Sequence, residues 1–225
     1  MRPSPDVNLW STAEHALDYL RRADSIPRRA EGEATLLELI PENPGRILDL
    51  GSGAGRLITL VKAVRPHAQF VALDFSAAML EELHKRFDGD ADVRIVAHDF
   101  DQPLPELGRF DAVISSFAIH HVHHERKRAL YAEVFRALEA GGTFANLEHV
   151  DSPTPELHKA FLKAIGWEDE DPSNKLLDLE TQMRWLTEIG FSDVDCHWKW
   201  RELTPFAGIR PAPSGVQDRQ SGEAA

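Results

Sequence analysis

Four groups of residues have types and spacings that can do chemistry. Residues 49–55 read Asp-Leu-Gly-Ser-Gly-Ala-Gly, three alternating glycines headed by a carboxylate. Glycine at Gly51 and Gly53 permits a tight turn and lets backbone N–H groups approach a ligand with no Cβ in the way. Asp74 stands 23 positions beyond Gly51, where an acid closing a strand can accept both hydroxyls of a ribose. Asp99, in the run His98-Asp99-Phe100, is a third carboxylate with a neighbouring ring. His120, His121, His123 and His124, with Glu125, form the densest ionisable cluster, and His149 follows downstream. Imidazole is the side chain whose free pKa lies nearest 7 and the commonest metal ligand. Each group also has a plainer role: a tight turn, a solvated strand end, a loop cap, a helix start in solvent.

The glycine turn needs a strand before it and a helix after it, and the pattern supplies both. Short apolar runs at 46–50 (RILDL), 70–74 (FVALD), 93–97 (VRIVA), 110–115 (FDAVIS) and 143–148 (TFANLE) alternate with amphipathic stretches. The spacing predicts a helix over 54–65 with Leu57, Val61 and Val64 on one face. A second, over 76–87, starts at Ser76 as N-cap and carries Met79, Leu80, Leu83 and Phe87. A third, over 124–139, carries Leu130, Val134 and Leu138 and stops at Gly141. Strands that read apolar on both faces and alternate with helices imply a parallel sheet covered on both sides, a doubly wound α/β domain.

The flanks read differently. Residues 1–45 form a helical lead-in, with Leu17, Leu20, Leu36, Leu37 and Ile40 at helical spacing, broken at Pro27 and closed at Pro41 and Pro44. Residues 155–190 are helical, with Leu157, Phe161, Leu162 and Ile165, then Leu179, Met183 and Leu186, interrupted by the acidic stretch 167–174. Residues 191–210 hold strand-like pieces split at Thr204-Pro205, which predicts a closing antiparallel pair. Residues 211–225 carry no apolar pattern and read as a disordered tail.

Two ligand classes share a glycine turn of this geometry, dinucleotides and S-adenosylmethionine. A dinucleotide sets its pyrophosphate on the helix N-terminus. Asp49, two residues before Gly51, helps a cationic amine more than a pyrophosphate, and Arg56 stands where the dinucleotide fingerprint wants its third glycine. Both differences favour a ligand carrying an ammonium and a sulfonium. Here the chain resembles the class I S-adenosylmethionine-dependent methyltransferases, in their small-molecule branch. Residues 49–55 resemble the motif that cradles the methionine half of the cofactor. Asp74-Phe75-Ser76 through Met79-Leu80 resembles the second motif, whose acid holds the ribose while the next residue flanks the adenine. His98-Asp99-Phe100 resembles the third, whose aspartate takes the adenine amine. Residues 110–116 with Phe117 to Val122 resemble the fourth strand and its cofactor-side loop, and residues 138–144 the turn into the fifth.

These matches run in order over residues 46–150. The resemblance implies a mostly parallel, seven-stranded, Rossmann-like sheet in a domain spanning 46–210, with S-adenosylmethionine as cofactor. It implies cofactor-binding residues Asp49, Gly51, Ser52, Gly53, Asp74, Phe75, Asp99, Phe100 and Ser116. It also implies an acceptor site built from the lead-in or lid, residues 10–33, and from an insertion at 151–177. Tyr19 and Arg22 share a helical face that can lid the cofactor, with an arginine meeting its carboxylate.

Methyl transfer is an in-line displacement to which positioning and desolvation contribute much, so a base is needed only where the acceptor is protonated when bound. His121 and His149 are the candidate bases. A zinc site needs three or four converging ligands and Cys196 is the only thiol, so no metal is expected. With 25 Lys+Arg against 37 Asp+Glu, the net charge of −12 argues against a nucleic-acid partner. Residues 151–225 hold 14 acids against 8 Lys+Arg, and the run 168–171 either draws in a cationic acceptor or is a solvated face. No stretch of ~18 apolar residues exists to span a membrane, the first ten residues lack the apolar centre of a signal peptide, and a lone cysteine forms no internal disulfide. These features describe a cytoplasmic protein; oligomeric state is not encoded in them. The expected activity is methyl transfer from S-adenosylmethionine to a small molecule. The alternatives are an RNA or protein acceptor, or a nicotinamide-dependent oxidoreductase. The first lacks an Asn/Asp-Pro-Pro-aromatic run, since 115–118 read Ser-Ser-Phe-Ala, and the second lacks a Tyr-x-x-x-Lys dyad.

Overall fold

A computed structural model describes residues 8–212; the tail read at 211–225 lies outside them from residue 213 onward. Seven strands make one sheet in the order β3-β2-β1-β4-β5-β7-β6. They are β1 (Arg46–Leu50), β2 (Gln69–Asp74), β3 (Val93–Ala97), β4 (Phe110–Ser116), β5 (Leu138–His149), β6 (Ser192–Cys196) and β7 (Leu203–Ile209). The first five are parallel, and β7 runs antiparallel between β5 and β6. This is the mostly parallel, seven-stranded sheet with an antiparallel close that the sequence predicts.

Successive strand residues point to opposite faces, and two cores follow from that. Ile47, Ala72, Ile114, Ala145 and Ala207 pack with α2 (Arg29–Glu38), α3 (Arg56–Val64), α4 (Ala77–Arg86) and α6 (Pro155–Ile165). Leu48, Leu50, Leu73, Val113, Phe144 and Phe206 pack with α5 (His124–Ala137) and α7 (Leu179–Ile189) on the other side. Among the helices, α1 (Ala13–Arg22) buries only Ala16. The chain reverses strand order between β1 and β4, so their carboxyl ends open a crevice, the place where open α/β sheets bind ligands.

Several local expectations differ from what is observed. The helix over 124–139 ends at Ala137, and β5 begins at once at Leu138. Gly141 (φ 83°) is therefore no helix stop; residues 139–142 bulge out of β5 between the pairs Phe110–Leu138 and Ala112–Thr143. Thr204-Pro205 does not split the last two strands but lies inside β7, and the turn is at 197–202. The Pro205 carbonyl accepts from His197 N–H beyond the end of β6, so the missing proline N–H faces a stretch with no strand partner. Ser76 occupies the N-cap of α4 but its side chain makes no capping bond. Leu17, Val64 and Leu157, each expected on an apolar face, are exposed.

Candidate functional site

The glycine loop leaves β1 and enters α3, and its three glycines differ in what they permit. Gly51 (φ 72°) turns so tightly under Ala118 that an added Cβ would overlap that residue's methyl. Gly55 (φ 81°) abuts Leu83 and Phe87, so its missing side chain lets α3 pack on α4. Gly53 (φ 52°) faces open space, with Met79 Sδ nearest at 3.8 Å, and this is where a ligand can approach the backbone. Asp74 braces the loop: Oδ2 accepts from Gly53 N–H at 2.8 Å and Oδ1 from Ser76 N–H at 2.9 Å. Arg56 is engaged away from the loop, making two bonds to Glu33 of α2, at 2.6 and 2.8 Å, and one to Asp24. Arginine at the third-glycine position thereby ties α3 to the lead-in with a forked charge-assisted contact.

Two clefts meet on this loop. One is lined by Asp49, Ser52, Ser116, Tyr19, Arg29 and Arg56. The other is lined by Asp74, Phe75, Asp99, Phe100, Met79 and Trp10. Gly51, Gly53 and Tyr19 belong to both, so all nine residues predicted for the cofactor lie along one continuous groove. Asp49 is buried, and among the described residues neither of its carboxylate oxygens has a hydrogen-bond partner. Burial lifts its carboxyl to about 7, with the Asp74 charge adding to the rise. A buried acid with two orphaned oxygens beside an open glycine is what a cationic amine would satisfy, and the residues present therefore fit the methionine end of S-adenosylmethionine. Arg22 does not line this groove; the lead-in contributes Arg29 instead, beside Arg56 and Arg86. Arg29 bonds Glu33 at 2.7 Å and the Tyr19 hydroxyl at 3.2 Å, and its guanidinium stacks over Phe117. Arg22 lies over Trp167 in a separate chamber.

That chamber encloses about 310 Å³ and shares Trp10, Tyr19 and His121 with the groove. Its walls come from the lead-in (Leu9, Trp10, Ile26) and from residues 161–174. Its floor is a row of imidazoles, His121 against His120 (ring centroids 4.0 Å apart) and His120 against His149 (5.6 Å). His120 is 6% exposed and pairs through Nδ1 with Glu148 at 2.6 Å; His149 Nε2 pairs with Glu202 at 2.8 Å. Burial holds His120 and His121 well below the usual imidazole range, which favours the neutral rings, and among the described residues neither nitrogen of His121 has a hydrogen-bond partner. His123 and His124 start α5 in solvent, as the sequence suggests. Among the described residues no group of three or more His, Cys, Asp or Glu could hold a metal ion, and no helix is long and apolar enough to cross a membrane. The sequence singled out His121 and His149 but not the His120–Glu148 pair. The signal available was an acid, Glu148, closing the strand run 143–148 directly before His149.

With this geometry in view, comparisons with known proteins are informative. A family model described as a methyltransferase domain matches residues 47–142. A demethylmenaquinone methyltransferase of Clavibacter sepedonicus is 32% identical over 202 residues, covering 82% of this chain and 78% of its own. A trans-aconitate 2-methyltransferase of Methylobacterium nodulans is 35% identical over 214 residues, covering 89% and 75%. Among solved structures, human N-acetylserotonin methyltransferase in complex with S-adenosylmethionine superposes with a TM-score of 0.67 at 16% identity, a likeness of fold. It covers 91% of this chain, which spans 58% of that longer one.

Proposed function

The chain belongs to the class I S-adenosylmethionine-dependent methyltransferases, with S-adenosylmethionine as methyl donor, and on that premise we propose that its acceptor is a small molecule held in the histidine-floored chamber. Membership removes the nicotinamide oxidoreductase from consideration. The observation that carries the proposal is the chamber itself. At about 310 Å³ it is at the small end of ligand cavities and opens onto the groove through Trp10, Tyr19 and His121. Two relatives are named for demethylmenaquinone and trans-aconitate, which differ in charge but are both small molecules.

S-adenosylmethionine supplies an electrophilic methyl on a sulfonium. On this reading Asp49 accepts the methionine ammonium, and Ser52, Ser116 and the Gly51–Gly53 backbone line the same end. Asp74 accepts the ribose hydroxyls with the lone pairs left over from its two backbone bonds. Asp99 takes the adenine amine, and Phe75 and Phe100 flank its ring. The chamber excludes water from the reacting atoms, while His121 and His149 are the bases available to an acceptor that binds protonated.

Two measurements test this. Asp74→Ala should weaken S-adenosylhomocysteine binding at least tenfold in calorimetry, and unchanged affinity would remove Asp74 from the cofactor site. Radiolabelled methyl from S-adenosylmethionine should enter the low-molecular-mass fraction of a cell extract; label confined to RNA or protein would overturn the small acceptor.

A further inference from the structure

We propose that the chamber selects an acceptor carrying a protonated amine on an apolar, ring-sized body; the inference rests on the proposed placement of the acceptor there. The lining has acceptors of hydrogen bonds in excess and few cations. Four consecutive carboxylates, Glu168 to Asp171, stand on its wall, and the one guanidinium that lines it among the described residues, Arg22, is already engaged by Asp18 and by the face of Trp167. Asp171 and Glu170 have histidine partners, His15 and His158, each at 3.1 Å, but Glu168 and Asp169 are exposed and have no ion-pair partner among the described residues.

The floor points the same way. His120 is nearly fully buried on the chamber and gives Nδ1 to Glu148. Among the described residues its Nε2 has no hydrogen-bond partner, and in the tautomer that donates Nδ1–H to the Glu148 carboxylate that nitrogen is an acceptor facing the chamber. An ammonium offers three N–H donors and a full positive charge. Neutral imidazole nitrogen and the carboxylates of Glu168 and Asp169 complement it, whereas an anion would meet those two like charges. The remaining walls, Trp10, Phe117, Phe161, Ile165, Trp167 and Leu203, suit an apolar body, and aromatic faces also attract a cation.

Three probes sharing one indole ring separate the possibilities: tryptamine, tryptophol and indole-3-acetate, each titrated calorimetrically into the full chain saturated with S-adenosylhomocysteine. Saturation is read first, so loss of cofactor binding is distinguished from failure of the acceptor proposal. Tryptamine should bind at least tenfold more tightly than tryptophol, and indole-3-acetate should give no detectable heat. The double variant Glu168→Gln, Asp169→Asn, on an exposed stretch, should shrink the tryptamine–tryptophol gap below threefold and leave S-adenosylhomocysteine affinity unchanged. The proposal is overturned by absence of tryptamine binding, by equal affinity for the alcohol or the acid, or by a gap that survives the double variant.

Discussion

At the scale of single residues, the most informative side chain is Asp49. Burial pushes its carboxyl up to about 7, with the Asp74 charge adding to the rise, whereas in the unfolded chain it titrates near ~4. Between these values the native state holds a proton that the unfolded state has lost. Stability therefore falls as pH rises through that window and levels off above it. Asp49→Asn removes the titration. Urea denaturation of the ligand-free protein should show the variant gaining on wild type by a few kcal/mol between pH 4 and pH 8. If the two pH profiles run parallel, Asp49 is not buried and unpaired. Adding S-adenosylhomocysteine, whose amine would share the carboxylate, should stabilise wild type more than the variant. Asp49, Asp74 and Asp99 are legible in the sequence because strand ends and loop lengths put them at one sheet edge. The His120–Glu148 and His149–Glu202 pairs are not, since 28 and 53 residues separate the partners and only tertiary packing brings them together.

At the scale of elements, glycines with similar backbone angles do different work. Gly55 and Gly141 have φ of 81° and 83°. A side chain at Gly55 would run into Leu83 and Phe87, while nothing lies within 4 Å of the position a Cβ would take at Gly141. Gly141→Ala should therefore cost only the left-handed backbone penalty, ~1–2 kcal/mol. Gly55→Ala should cost that plus the repacking of α3 against α4, in total about 3–4 kcal/mol. Thermal unfolding of the two variants checks this, and equal losses would show that the α3–α4 contact is loose. The sequence is correct about the strands around these turns because apolar runs bounded by glycine and proline mark them. It misplaces the boundary at Gly141 because a glycine four residues past a helix end and a glycine in a strand bulge have the same local signature. Only the pairing of β5 with β4 and β7 separates them.

Across the whole molecule, the lead-in divides into a wall and a piece of the core. The break at Pro27 is legible; the division of labour is not, because both halves show helical periodicity and packing alone tells them apart. On one side of the break, α1 buries only Ala16, yet its Tyr19 borders both clefts of the groove and the chamber. On the other, α2 sets Gly32 so close to β5 that an added Cβ would sit 2.9 Å from Leu147 Cδ1, and it delivers Leu36 into the core, with Ile40 just beyond its end. A chain lacking residues 1–25 loses the Tyr19 and Asp24 contacts to Arg29 and Arg56 but keeps Glu33 between those arginines. It should unfold cooperatively with a Tm lowered by no more than about 10 °C, since a few kcal/mol shift a domain of this size by that amount. Its S-adenosylhomocysteine affinity should fall, because Trp10 and Tyr19 are gone from the groove, and methyl transfer should be abolished with the chamber wall. A chain lacking residues 1–41 should show no cooperative transition, having lost Leu36 and Ile40 and left Arg56 without its partner Glu33. Circular dichroism melts and calorimetry on both truncations decide the matter, and collapse of the shorter deletion would make α1 part of the core instead of a wall of the groove and chamber.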